Sequence, residues 1–457
     1  MYTRHRRWKR KPKRRSWLPV VLLLIGVPFG LELLTRAVTH AAGINEQLTA
    51  DSPAGTEQVE AYRLRFLGSD RQPYEGIPNN HGELLAARSP LMGYQLLPNQ
   101  ESPFWTINEQ GFRESEPVTP EKAEGEVRIF VLGGSAAFGQ LNSSNEATLA
   151  SHLEKLLTDR VADQRANSNR YQPATLPFRA DQVGEALALP PRIPDRQYRV
   201  INAAVPGYAS GNELALLMQH VSNYSPDILI VLNSYQDLLL PSEQAATDIP
   251  ELDALVRGER ESPLQQVQTS IGDWFNQLYT VRAVDRYVLQ GDMPEDESAI
   301  TLNLLTSPEG TLDQYLPADE TELDQRVARY QENLLQMVRW SSATQKRLLI
   351  GLQPEITGRS TEAMTPEESA ILTKLGNSYD DRLQTGYNRL TSAAEQAASS
   401  SANARLLNFY NLYETYEGQA FQSPTSLTDE ANRVMASRFF EAIVGDLAIE
   451  PRPFGAE

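Results

Sequence analysis

The stretch that most restricts what this chain can fold into is residues 127–139, VRIFVLGGSAAFG. Ile129, Phe130, Val131 and Leu132, with Val127 ahead of Arg128, form the apolar, β-branched run of a buried parallel strand. The run passes directly into Gly133-Gly134-Ser135, where two glycines permit a turn that a Cβ would forbid. Ser135 is thereby set at the carboxyl end of a strand, the place where open α/β sheets hold their ligands. Beyond it, residues 145–160 space Leu149, Leu153, Leu156 and Leu157 as a helix does, completing a strand–turn–serine–helix unit. A serine so placed is a candidate nucleophile. The same Gly-Gly-Ser also serves as a plain tight connection between strand and helix.

The alternation continues downstream. Strands are expected over 198–203, 227–232, 347–352 and near 405–409. Helices are expected over 212–224, 322–343 and 366–397, with a small-residue break over 397–402. A last helix starts after Leu427-Thr428-Asp429 and ends near Leu447. Strands separated by helices imply right-handed crossovers and a parallel sheet, so the pattern predicts a three-layer α/β/α sandwich over 126–450. Residues 161–196 read as one long loop of the kind that carries function. Residues 241–322 read as an acidic insertion, in which Ser262-Pro263 opens an amphipathic helix bearing Leu264, Val267, Ile271, Trp274, Leu278 and Val281. Residues 39–125 read as a linker and irregular lead-in.

Charge is strongly segregated along the chain. Residues 1–16 form a basic tail with nine Lys/Arg, and since the total is −17 the body beyond this +9 block carries −26. A body so acidic offers no basic face to nucleic acid. Residues 17–34, WLPVVLLLIGVPFGLELL, are apolar apart from Glu32, and eighteen helical residues span roughly 27 Å, near the hydrocarbon thickness of a bilayer. The segment 17–38 therefore reads as a transmembrane signal anchor with the cationic tail in the cytoplasm. A cleaved signal peptide is the alternative; the weak small-residue site near 39–42 and the length of the apolar run favour the anchor. The main domain is then expected outside the cytoplasm, on the plasma (inner) membrane. The chain has no cysteine and only five histidines, His5, His40, His81, His152 and His220. No disulfide, thiolate site, histidine cluster or phosphate loop is present to suggest a metal or nucleotide cofactor.

These blocks, taken in order, resemble the SGNH or GDSL-like hydrolases, in particular their membrane-anchored bacterial branch. The resemblance includes the lead-in, where Met92-Gly93-Tyr94, Pro98-Asn99 and residues 107–113 (INEQGFR) are similar to the segment preceding the nucleophile strand in that branch. It implies a flavodoxin-like parallel sheet and the hydrolysis or transfer of acyl esters. Carried onto this sequence, Ser135 takes the nucleophile position. Gly134 stands where the signature often has aspartate, and Gly207 of PGYAS matches the glycine whose N–H joins that of Ser135 in the oxyanion hole. The third block departs from the pattern: Ser234-Tyr235-Gln236-Asp237 stands where Gly-x-Asn-Asp is expected, so Gln236 keeps an amide donor but displaces it by a methylene. The last block departs further, because Ser423 and Ser426 fall on the positions of the triad Asp and His.

Neither serine serves as a base at neutral pH, and a serine nucleophile needs one. His152 and His220 are expected about four helical turns beyond the site end of the sheet, and His81 lies in the lead-in. Asp237 and Asp429 are the carboxylates that remain, Asp429 reading more simply as a first-turn acid favoured by the helix dipole. The resemblance with these losses implies a catalytically degenerate member that binds an acylated glycan, a lipid or an envelope partner. The alternative is an active serine esterase or O-acyltransferase acting on cell-envelope polysaccharide through Ser135. A third reading is an assembly factor that uses the fold as a scaffold.

Overall fold

The structure, a computed structural model, describes residues 56–74, 82–244, 312–376 and 378–455. The basic tail, the apolar segment 17–38, the helix expected from Ser262 and His81 lie outside the described residues.

The lead-in differs from the irregular segment expected. Helix α1 (Thr56–Tyr62) is followed by β1 (Leu64–Leu67), β2 (Leu84–Ser89) and β3 (Gly93–Leu96). These strands form a small sheet in which β1 pairs parallel and β3 antiparallel with β2. Two residues each of β4 (Gln100–Glu101) and β5 (Thr106–Ile107) make a short antiparallel pair. Strands this short carry no legible period, and their order comes from burial: Tyr62, Phe66, Tyr94, Trp105 and Phe112 belong to the same apolar core as the main sheet.

The main sheet begins with β6 (Glu126–Gly133), followed by the single-turn α2 (Ser135–Phe138) and by α3 (Leu149–Ala166). Segment 161–196 is not one long loop. Helix α3 runs on to Ala166 because Gln164 is held at both ends, its Oε1 accepting from Ile193 N–H and its Nε2 donating to Ile193 O. A further helix, α4 (Ala180–Ala188), lies within the same segment. Then come β7 (Gln197–Asn202), α5 (Ser210–Gln219), β8 (Ile228–Asn233) and the short α6 (Tyr235–Leu239). The remainder comprises α7 (Glu320–Thr344), β9 (Arg347–Leu352), α8 (Pro366–Lys374), α9 (Tyr379–Ser399), β10 (Ala404–Asn408) and α10 (Asp429–Asp446).

All five strands from β6 to β10 pair in parallel, in the order β10-β9-β8-β6-β7. Counted along the chain from β6 this is 2-1-3-4-5, the flavodoxin-like order. Right-handed crossovers then place helices on opposite faces when the strand order reverses at β6; α3 packs with α10, and α5, α7 and α9 pack together. The reversal leaves a crevice beyond the carboxyl ends of β6 and β8, which is where ligands bind in such sheets. Ser135 follows β6 and Gln236 follows β8, so both stand at this crevice. Among the described residues, no helix is long and apolar enough to cross a membrane.

Candidate functional site

Ser135 is the first residue of α2 and is 5% exposed. The two glycines before it are needed for different reasons. Gly133 has φ +151°, and a Cβ there would fall 2.2 Å from the Leu232 carbonyl oxygen, which no side chain tolerates. At Gly134 a Cβ would fall 2.9 Å from Tyr208 O and 3.7 Å from Gln236 Cγ. Any larger residue at 134, aspartate included, would push away the neighbouring turn.

That turn is Val205-Pro206-Gly207-Tyr208, closed by Tyr208 N–H donating to Val205 O at 3.2 Å, with Gly207 at φ +83°. Proline at the second position and a positive-φ glycine at the third are the signature of a type II turn. Among the described residues, the N–H groups of Gly207 and Ser135 make no hydrogen bond, and neither does Gln236 Nε2. Gln236 is 7% exposed, and its Oε1 is buried without a partner. Gly134, against which Tyr208 and Gln236 both lie, is thus bordered by donors that can receive a carbonyl or anionic oxygen.

Among the described residues, no titratable side chain is hydrogen-bonded to the serine. Its hydroxyl makes no hydrogen bond among the described residues. At the two triad-equivalent positions Ser423 Oγ donates to Ser426 Oγ at 2.8 Å and accepts from Ser426 N–H at 3.0 Å. Ser426 Oγ points on to Gln140 Oε1 at 3.4 Å, and the Gln140 N–H donates to Ser135 O at 3.0 Å. The structure therefore brings Ser135, Ser423 and Ser426 into one neighbourhood through Gln140. Every group in that chain is a neutral hydroxyl or amide.

The carboxylates of Asp237 and Asp429 are committed elsewhere. Asp237, a pocket candidate from sequence, accepts from Ser210 N–H at 3.0 Å and Ser210 Oγ at 2.5 Å, holding the start of α5. Burial pushes its carboxyl up, with Arg329 opposing. Asp429 accepts from Asn142 Nδ2 at 2.9 Å and Ser143 Oγ at 2.5 Å, tying α10 to the loop after Ser135. His220 caps the far end of α5, as expected, with Nε2 3.1 Å from Gln110 O. His152 is misplaced in the sequence reading: α3 starts at Leu149, so this histidine lies in its first turn. Burial, then Arg433, hold its pKa below the ordinary imidazole value.

Sequence reasoning missed two features. The first is Glu355, three residues past β9, fully buried and pushed up to about 7 by burial. It accepts from Thr357 N–H at 2.8 Å and Tyr379 OH at 3.0 Å, and Tyr379 OH in turn reaches Tyr235 OH at 3.1 Å, beside Gln236. A carboxylate at the carboxyl end of a sheet strand was the available signal. The second is the lead-in, which clamps both halves of the site. Arg113, from INEQGFR, is 2% exposed and donates to Phe138 O at 2.9 Å and Gly139 O at 2.7 Å, the carbonyls that end α2. Tyr62 OH and Gln58 Nε2 donate to Asn142 O and Leu141 O. On the other side Tyr94 OH donates to Pro206 O at 2.6 Å while Tyr208 OH donates to Tyr94 O.

Among the described residues no cluster of His, Asp and Glu is arranged to hold a metal ion. No family model matches the chain, and no curated protein matches it. Solved structures similar to it include an acetyl xylan esterase, AlAXEase, with 10% identity and TM-score 0.33 over 69% of this chain and 100% of that one. A lipase/acylhydrolase from Enterococcus faecalis has 12% identity and TM-score 0.33 over 71% of this chain and 98% of that one. A putative acylhydrolase from Bacteroides fragilis has 12% identity and TM-score 0.31 over 72% of this chain and 90% of that one.

Proposed function

We propose that this chain is a membrane-anchored, extracytoplasmic protein that uses an SGNH-hydrolase-like pocket to bind rather than to hydrolyse. The observation that carries this reading is the serine pair at 423 and 426. Where a triad needs an acid and a base, two buried hydroxyls satisfy each other and leave the Ser135 hydroxyl without a hydrogen-bond partner among the described residues. Without a group to take its proton, that hydroxyl is a weak nucleophile. The unpaired Ser135 and Gly207 N–H groups and Gln236 Nε2 still suit the carbonyl of an acyl group, which supports an acylated glycan, lipid or envelope partner as ligand. The apolar segment 17–38 behind nine cations supports the anchor and the orientation.

The competing reading, an esterase or O-acyltransferase working through Ser135, is favoured by the same set of donors. Turnover of p-nitrophenyl acetate by the full chain separates the two. Binding without hydrolysis predicts equal background rates for the native chain and Ser135→Ala. A rate that falls to background only in the variant contradicts it.

A further inference from the structure

A cavity of about 440 Å³ opens between the lead-in and the β7–α5 side of the main sheet. Small-molecule sites occupy roughly 300–1,000 Å³, so its size suits a ligand of modest mass. Ser135 is not among its lining residues, but Tyr208 is, and the Tyr208 carbonyl lies against Gly134. Its walls include Met92 and Leu96 from the lead-in, and Val205 and Leu216 from the sheet side.

The polar part of the lining has one sign. It holds no Lys or Arg, and Glu109 is its only carboxylate. Phe112, His220 and Tyr224 form a three-ring cluster at the same place, with centroids 5.0, 5.4 and 5.5 Å apart. His220 Nε2 faces the Gln110 carbonyl at 3.1 Å, so that nitrogen donates. Glu109 stands exposed at the rim, where its carboxylate accepts from Gln110 Nε2 at 2.8 Å, and a carboxylate beside aromatic rings, in a lining of mixed polar and apolar groups, favours a cation over an anion.

We infer that this cavity is a second binding site, for a small organic cation with an apolar body. The ammonium stands at Glu109 and the ring cluster, and the apolar body lies between Leu96 and Leu216. This inference does not depend on the reading of Ser135.

The test is saturation-transfer NMR on the full chain, with 2-phenylethylammonium as probe and 3-phenylpropanoate and 2-phenylethanol as matched anion and alcohol. The site predicts binding of the cation about tenfold tighter than either comparator, the equivalent of roughly 1.4 kcal/mol. Glu109→Gln removes most of that advantage, and Leu216→Trp, which fills the cavity, removes binding. Met92→Trp fills it from the opposite wall and replaces Leu216→Trp if the latter does not fold. The inference is overturned if the anion or the alcohol binds as tightly as the cation, if no probe binds, or if the filled variants bind as the native chain does.

Discussion

Arg113 gives the sharpest quantitative test of the claim that the lead-in is part of the site. Its guanidinium is buried with no carboxylate partner among the described residues and is held by acceptors: Asn145 Oδ1, Tyr62 OH and the carbonyls of Phe104, Phe138, Gly139 and Ser144. It also lies over the rings of Phe138 at 4.9 Å and Tyr62 at 5.2 Å. Several acceptors keep a second donor when Arg113 is removed. Asn202 Nδ2 still reaches Phe138 O at 3.1 Å, and Asn142 N–H still reaches Gly139 O at 3.1 Å. Counting only the two bonds that close α2, at about 1.5–3 kcal/mol each for a charged donor, Arg113→Met should cost about 3–6 kcal/mol. Arg113→Lys should recover less than half of this, because one ammonium cannot span acceptors spread around a planar fork. Urea unfolding supplies the free energies. Hydrogen exchange at the Gly139 and Gln140 amides, both bonded to Ser135 O, reports whether the serine turn loosens. A loss below about 1 kcal/mol with unchanged exchange would refute the reasoning.

Three further outcomes follow from the geometry. Glu355 has a folded-state pKa of about 7 against an ordinary 4.5, so the native state holds its proton where the unfolded chain has released it. Stability from this group is full below about 4.5 and is lost as pH rises through 7, a total of about 3 kcal/mol. The stability of Glu355→Gln relative to the native chain should therefore rise between pH 5 and pH 8, and a constant difference in urea midpoints would contradict this. Gly134→Ala places a Cβ 2.9 Å from Tyr208 O and should cost about 1–3 kcal/mol by overpacking; a thermal midpoint equal to that of the native chain would show that the turn yields freely. Asp429→Ala removes the bonds to Asn142 and Ser143 and a favourable first-turn charge, worth about 1–2 kcal/mol together. It should leave Ser135 as unreactive towards acylating reagents as in the native chain, and a changed acylation rate would make Asp429 part of the chemistry.

The main sheet was legible because buried parallel strands announce themselves. Residues of β6, β8 and β9 are almost wholly buried, so their sequences are continuous apolar runs. The predicted 347–352 strand matches β9, Arg347–Leu352. The place of Ser135 at the end of β6 was legible from the turn chemistry around it, whereas Gly207 was singled out only by the resemblance. Burial of polar side chains was not. QPEIT sets Glu355 just past the carboxyl end of β9 but does not show its burial, and nothing in INEQGFR shows Arg113 reaching across to the end of α2. Asp237 looked like a pocket residue by its neighbours, yet its carboxylate faces Ser210, an orientation set by the helix turn. Helix α4 escaped notice because it buries only Ala186, so proline and charge outweighed its short apolar pattern.

Whether Ser135 is an activated nucleophile is the question on which the account stands. Intact-mass measurement of the full chain after incubation with a fluorophosphonate, beside Ser135→Ala treated identically, answers it directly. A serine without a base predicts no adduct beyond the background of the variant. A stoichiometric adduct on the native chain, absent from Ser135→Ala, would show that a base exists and that the pocket is catalytic.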